Sequence, residues 1–256
     1  MNKITIQHIK NFKKSNSNFA TLTAYDCTSA QILDDAGIPL ILVGDSASMM
    51  VYGYDTTVPI SMDEMMLVVK AVTRGAKNSL VVADMPFLSY QPSVKETIKN
   101  AGRLIKEGGA SAVKLEGGVS VEKQIKKLVS FGIPVLGHVG LTPQSYHQLS
   151  GYSIQGKTPK EAQVILDDAK AVENSGAFGV VLECIPENLA KQITQQLSIP
   201  TIGIGSGMNC DGQIQVFHDI MGLSKYKLPK HAMQYGSMYN NMFDLVKKYK
   251  SDIEKS

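Results

Sequence analysis

Short runs of Val, Ile, Leu and Ala recur along this chain, and amphipathic helical patterns fill the intervals between them. Apolar runs of this length, rich in β-branched residues, read as parallel strands buried on both faces. The runs predict strands at 20–24, 40–43, 80–83, 112–115, 134–137, 180–182 and 201–204, with a weaker eighth at 214–217. The helices between them carry their own start signals. Ser61-x-x-Glu64 and Ser93-x-x-Glu96 have capping-box spacing, Thr158-Pro159-x-Glu161 adds a proline at the first helical position, and Ser120 opens another helix. Helical patterns also run over 28–36, 188–197 and from Met238 to the end. Eight strands alternating with helices predict an α/β (β/α)8 TIM barrel, with an open doubly wound sheet as the alternative. The 256 residues match the usual size of one such barrel, roughly 250 residues. The expectation is a single barrel domain over 1–256, with an N-terminal helical segment and a C-terminal helical tail.

Four of the runs end on an acid: Asp45, Asp84, Glu116 and Glu183. Barrel active sites gather residues from the C-terminal ends of several strands, so these acids are expected to converge. Crowded carboxylates repel one another, and a site made of them calls for a hard cation, a lysine, or both. Asp45 and Asp84 follow their strands directly and suit a metal. A lone aspartate there would more simply cap the next helix, but the matched placement of the two favours the metal. Lys114 and Glu116 are two apart on a strand and point to the same face. A mid-strand lysine is costly to bury unpaired, so either function or a structural ion pair must account for it. Glu116 could complete the metal shell, directly or through water. His138 lies at the same rim and reads equally as a structural or a functional histidine. Glu183, beside apolar neighbours, suits a general base; its plainer role would be to cap the next helix. Ser46 reads alone as a turn residue. Gly203-Ile204-Gly205-Ser206-Gly207 lacks both the dinucleotide fingerprint and the Walker lysine.

Charge excludes other classes. Lys+Arg 26 against Asp+Glu 23 leaves a net charge of +3, with the basic residues scattered, which is no footprint for nucleic acid. The cysteines Cys27, Cys184 and Cys210 are far apart and outside any metal-ligand spacing, which fits a reducing compartment. No apolar stretch approaches the ~20 residues of a membrane span. A cytoplasmic protein without membrane or nucleic-acid partners is expected.

Together the segments Gly44-Asp45-Ser46, Ala83-Asp84-Met85-Pro86-Phe87, Val113-Lys114-Leu115-Glu116-Gly117-Gly118, Gly137-His138-Val139-Gly140-Leu141-Thr142-Pro143-Gln144, Leu182-Glu183-Cys184 and Gly203-Ile204-Gly205-Ser206-Gly207 carry a resemblance. In their order and spacing the chain resembles the ketopantoate hydroxymethyltransferase family, from Phe19 to about Lys230. The resemblance implies a barrel of the phosphoenolpyruvate/pyruvate-binding superfamily, one Mg²⁺ per subunit and a homodecamer. It implies transfer of a hydroxymethyl group from methylene-tetrahydrofolate to α-ketoisovalerate through a Mg-stabilised enolate. The product would be ketopantoate, in pantothenate and coenzyme A biosynthesis. Residue by residue, Asp45 and Asp84 match the metal acids, and Glu116 an acid that reaches the metal through water. Ser46, Asp84, Lys114 and His138 match substrate-binding positions, and Glu183 matches the catalytic base. Ala47-Ser48 departs from the usual Leu-Gly, and the stretch from His231 to Tyr235 drifts from a Phe-containing pattern. Two other readings stay open: a carbon–carbon lyase or mutase of the same superfamily acting on a 2-oxo acid, and a small-molecule-binding barrel without catalysis.

Overall fold

A computed structural model describes residues 3–225, 228–229 and 232–255; the Lys230-His231 step, where the resemblance ends, lies outside them. The chain forms two compact units, residues 1–214 and 215–256. The first runs α1 (Ile6–Lys14), β1 (Phe19–Thr23), α2 (Cys27–Asp35), β2 (Leu40–Val43), α3 (Ala47–Met50), α4 (Met62–Gly75), β3 (Leu80–Asp84), α5 (Val94–Lys106), β4 (Ala112–Glu116), α6 (Glu122–Ser130), β5 (Val135–Gly140), α7 (Tyr146–Leu149), α8 (Pro159–Asn174), β6 (Gly179–Glu183), α9 (Glu187–Gln196), β7 (Thr201–Ile204) and β8 (Gly212–Gln215). The second carries α10 (Phe217–Met221) and α11 (Met238–Glu254). All eight strands close in chain order into one barrel. Each sequential pair with a recorded register is parallel. The (β/α)8 expectation is borne out.

The barrel is filled by the strand residues that share one face. Leu40 and Leu42, Leu80 and Val82, Ala112, Leu136, Val181, Ile202 and Ile214 form one buried cluster. Ile9 of α1 belongs to the same cluster, with Ile4, Ile6 and Phe12 packed against it. These partners include the first residues of β2, β3 and β4, so α1 stoppers the N-terminal end of the barrel. Lys13 Nζ holds it there, 3.0 Å from Asp211 Oδ2 and 2.8 Å from the Thr194 carbonyl oxygen. At the same end Asp34 of α2 accepts from the backbone N–H of Asn78 at 2.9 Å and of Ser79 at 2.7 Å, and from the Ser79 hydroxyl at 2.7 Å. Burial pushes its pKa up, but these donors, Ser79 foremost, outweigh burial and bring it down to about 2.

Two of the three capping boxes form. Ser61 Oγ accepts from Glu64 N–H at 3.2 Å while the Glu64 carboxylate accepts from Ser61 N–H at 2.7 Å. Thr158 and Glu161 repeat the exchange at 3.3 and 3.1 Å, behind Pro159. Ser93 caps α5 by accepting from Glu96 N–H at 3.2 Å, but Glu96 does not return the bond. Ser120 starts no α-helix. A 3₁₀ turn spans Val119–Val121, and Asp168 of α8 accepts from Val119 N–H at 2.9 Å. The eighth strand sits two residues earlier than its apolar residues predict: Gly212 and Gln213 pair with Ile202 and Gly203 of β7, and Gly212 faces the Phe19 ring, which a Cβ would meet at 2.7 Å. Among the described residues no helix is long and apolar enough to cross a membrane.

Candidate active site

Strand parity builds the site. Val82, Ala112, Leu136 and Val181 face the barrel core. Two residues further along their strands stand Asp84, Lys114, His138 and Glu183, and Glu116 follows Lys114 at the same spacing. The inward row therefore turns from apolar to charged at the C-terminal end of the barrel. The register pairs Asp84 with Lys114, Glu116 with His138, and Gly140 with Glu183. Gly140 has φ +94°, and a Cβ there would run into the Glu183 carbonyl oxygen, so only glycine lets β5 pass β6 at this point.

The sequence-predicted charges meet around Lys114. Its Nζ lies 3.2 Å from Asp84 Oδ1, 3.7 Å from Glu116 Oε1 and 3.0 Å from His138 Nδ1. The lysine is 3% exposed. Burial alone would lower its pKa, but Asp84, Glu116 and Asp45 outweigh burial and raise it. Lys114 is thus held as an ammonium. Burial, then Lys114, push the pKa of His138 well below its ordinary value, so the ring is neutral. An ammonium only donates, so Nδ1 must accept from it and Nε2 carries the proton. That Nε2 lies 3.1 Å from Glu183 Oε2, in contact but not in hydrogen-bond alignment.

The acids differ in access. Asp45, Asp84 and Glu116 are at most 5% exposed. Burial raises all three pKa values, against the pull of Lys114, and Asp84 reaches about 7 with Asp45 adding to the rise. The Glu183 side chain keeps 14% of its surface open. It is the acid of the set most accessible to a molecule entering the mouth of the barrel.

Asp45 and Ser46 come in on the turn after β2. Asp45 N–H donates to Asp84 Oδ2 at 2.9 Å, which locks the two metal candidates together. Gly44 makes room for this turn, since a Cβ there would meet Ser46 Oγ at 2.7 Å. Ser46 Oγ shares a 2.7 Å hydrogen bond with the Tyr25 hydroxyl. Ala47 and Ser48, the departure from the family pattern, open α3 and are buried. Ser48 Oγ donates to the Thr56 carbonyl at 2.7 Å, a tie that glycine could not make.

Three residues escaped sequence reasoning as site residues: Tyr25, Tyr90 and Gln144. Gln144 stands in the quoted run after β5, yet nothing in the spacing says where its amide goes. Its side-chain N–H groups donate to Asp45 Oδ2 and to the Met85 carbonyl, both at 2.9 Å, and its backbone N–H donates to Glu116 Oε2 at 3.0 Å. The Tyr90 hydroxyl is 2.9 Å from Gln144 Oε1 and accepts from Glu116 N–H at 3.2 Å. Burial, then Glu116, hold the Tyr90 pKa well above the ordinary phenol value, so it stays a donor. The glycine-rich stretch after β7 supports β6. Ser206 Oγ donates to the Leu182 carbonyl at 2.8 Å and accepts from Ile185 N–H at 3.3 Å, fastening the chain on both sides of Glu183. Cys184 follows in a left-handed conformation, φ +46°, and burial, then Glu183, push its thiol pKa up to about 12. That suits an inert thiol.

Among the described residues, no group of three or more His, Cys, Asp or Glu stands ready to enclose an ion. The donor set nevertheless fits Mg²⁺, which binds through one or two carboxylates plus substrate and water oxygens instead of a complete protein cage. Asp45 and Asp84 supply the two carboxylates. Asp84 Oδ1 and Glu116 Oε1 are buried and face the Lys114 ammonium at 3.2 and 3.7 Å without an aligned hydrogen bond. Buried oxygens left this way, on acids whose charge burial disfavours, are what a cation would satisfy. Beside them opens a cleft of about 470 Å³, lined by Phe87, Gln91, Glu116, Gln124, Gln148 and Asp168 among others.

The fold resembles solved barrels. A phosphoenolpyruvate phosphomutase from Streptomyces platensis subsp. rosaceus superposes with a TM-score of 0.65 at 11% identity, over 98% of this chain and 88% of that one. A phosphonopyruvate hydrolase complexed with oxalate and Mg²⁺ gives 0.64 at 12% identity, over 100% and 88%. Sequence is far closer to another group. The chain is 51% identical over 254 residues to a 3-methyl-2-oxobutanoate hydroxymethyltransferase of Carboxydothermus hydrogenoformans, covering 99% of this chain and 92% of the relative. The model of the ketopantoate hydroxymethyltransferase family matches residues 3–256. With 99% of its length shared at that identity and the family model matched throughout, the chain belongs to the ketopantoate hydroxymethyltransferase family.

Proposed function

We propose that this chain transfers a hydroxymethyl group from methylene-tetrahydrofolate to α-ketoisovalerate, giving ketopantoate for pantothenate and coenzyme A synthesis. The observation that carries the reading is the contact chain from Asp84 through Lys114 and His138 to Glu183 at the barrel mouth, in a member of this family. Asp45 and Asp84 would hold one Mg²⁺ per subunit, with Glu116 beside them as a further acid of the site. The ion supplies positive charge where the substrate ketone becomes negative. Lys114, kept as an ammonium, attracts the anionic 2-oxo acid, and Ser46 and His138 line its seat. Glu183 takes the proton from C3 of α-ketoisovalerate, and His138 Nε2 steadies the carboxylate that does so. Water cleaves the C–N bonds of the methylene group, releasing tetrahydrofolate and a formaldehyde-level one-carbon unit; C3 of the enolate attacks that carbon, and the alkoxide formed takes back the proton held by Glu183. The cleft beside Glu116, with the amides of Gln91, Gln124 and Gln148 and the face of Phe87, gives the folate hydrogen-bond partners and an apolar wall.

The lyase or mutase alternative draws on barrels that are 11–12% identical to this chain, a likeness of fold alone. The binding-barrel alternative predicts a missing acid, and each acid expected from the sequence is present. The whole chain acts as a cytoplasmic enzyme, assembled as a homodecamer. Incubation with α-ketoisovalerate, methylene-tetrahydrofolate and Mg²⁺ should yield ketopantoate and tetrahydrofolate in equal amounts by NMR, and a chelator should stop it. Cleavage of α-ketoisovalerate, or no turnover at all, would favour one of the alternatives.

A further inference from the structure

The acids at the barrel mouth share one pattern. Asp84 Oδ2 accepts a backbone N–H from Asp45, Glu116 Oε2 accepts a backbone N–H from Gln144, and Asp45 Oδ2 accepts the Gln144 amide. In each carboxylate one oxygen is tied to a neutral donor. For Asp84 and Glu116 the other oxygen is buried and faces a charge, the Lys114 ammonium, at 3.2 and 3.7 Å. Two of the three ties come from Gln144, which is 4% exposed.

The Gln144 amide can sit only one way. Asp45 Oδ2 and the Met85 carbonyl only accept, so the NH₂ must face them. The amide oxygen then receives the Tyr90 hydroxyl at 2.9 Å and the Gln91 amide at 3.1 Å. Both amide protons are used, and the oxygen accepts from Gln91 and shares the single Tyr90 proton with the Glu116 carbonyl, 3.1 Å from that hydroxyl. An amide with every position satisfied is a rigid spacer, and its donors bring no charge that would compete with a cation.

We infer that Gln144 is a positioning residue that fixes Asp45 and Glu116 by occupying one oxygen of each, leaving their charge to the divalent ion. The inference rests on the proposed function and adds to it the residue that aims the acids. Partners that orient metal-binding carboxylates typically change metal affinity or activity by ~10–100-fold when removed.

Gln144→Leu keeps the volume and the backbone N–H to Glu116 but loses the amide. Gln144→Asn keeps an amide one methylene too short to span from Asp45 to Tyr90, and it is the milder change should the leucine variant not fold. Mn²⁺ affinity is measured on the full chain without substrate, by electron paramagnetic resonance of the free ion. Near-ultraviolet circular dichroism checks the fold. Either folded variant should bind Mn²⁺ about 10–100-fold more weakly, and its kcat should stay below wild type at saturating Mn²⁺. Wild-type Mn²⁺ affinity in a folded variant would overturn the inference and leave Gln144 a packing residue. A wild-type chain that binds Mn²⁺ but makes no ketopantoate would overturn the proposed reaction, while the affinity comparison still decides the role of Gln144. A wild-type chain that binds no Mn²⁺ would overturn both.

Discussion

At the scale of single residues, the site works by confinement. Lys114 keeps its charge because three acids surround it, and His138 loses its charge because it is buried and the same lysine faces it. Asp84 stands at the join, touching Lys114 with one oxygen and Asp45 with the other. Asp84→Asn preserves the shape and can still accept the Asp45 N–H, but it removes a negative charge. It should weaken divalent-ion binding by about 100-fold or more, beyond the effect of an outer partner, and reduce ketopantoate formation with it while the protein stays folded. Titration with Mn²⁺ measures the first effect; near-wild-type affinity would remove Asp84 from the metal site. The acids, the lysine and the histidine were legible in the sequence because each sits at a strand end, where position alone gives direction. Gln144, Tyr90 and Tyr25 were not. They reach the site from loops, and what they touch depends on strands up to 99 residues away in the chain.

At the scale of elements, strands β2 and β7 end where their apolar residues end. β5 runs on through His138, Val139 and Gly140 because these pair with Glu116 on one side and with β6 on the other. No local propensity predicts that extension, which carries His138, just as β3, β4 and β6 each run one residue past their apolar runs onto Asp84, Glu116 and Glu183. The N-terminal end of the barrel depends on a similar long-range tie. Asp34 joins α2 to the loop before β3 through the backbone N–H groups of Asn78 and Ser79. Asp34→Ala should destabilise the chain by about 1–3 kcal/mol, since it strands buried donors, without changing Mn²⁺ affinity. Chemical denaturation checks this. The pH dependence has a definite sign. The folded pKa lies below the unfolded one, so the stabilisation from Asp34 is complete above about 4. It is lost as pH falls through about 2. The acid-induced loss between those values should be smaller in Asp34→Ala than in wild type.

At the scale of the molecule, barrel closure was legible from alternation alone, because eight strand–helix repeats of this length have few other solutions. Assembly was not legible from the pattern. A homodecamer is what the family resemblance implies, and α11 carries the face on which an assembly can be tested. Met242, Leu245, Val246, Tyr249 and Ile253 are all more than half exposed. A helix of this kind gains from burial against another chain. Leu245→Asp with Val246→Asp should lower the oligomeric mass in sedimentation while the barrel's circular dichroism stays unchanged. An unaltered mass would show that this face takes no part in assembly.

The central claim is that this barrel removes a proton from C3 of a bound 2-oxo acid, and that Glu183 takes it. Its most direct test is deuterium exchange at C3 of α-ketoisovalerate in D₂O, with Mg²⁺ and without folate, followed by proton NMR. Wild-type protein should exchange C3 only when the metal is present. Glu183→Gln should bind metal and 2-oxo acid normally yet exchange ~10²–10⁴-fold more slowly, the usual contribution of a general base. Exchange at the wild-type rate in Glu183→Gln would contradict the assignment of the base. Absence of metal-dependent exchange in the wild-type protein would contradict the account as a whole.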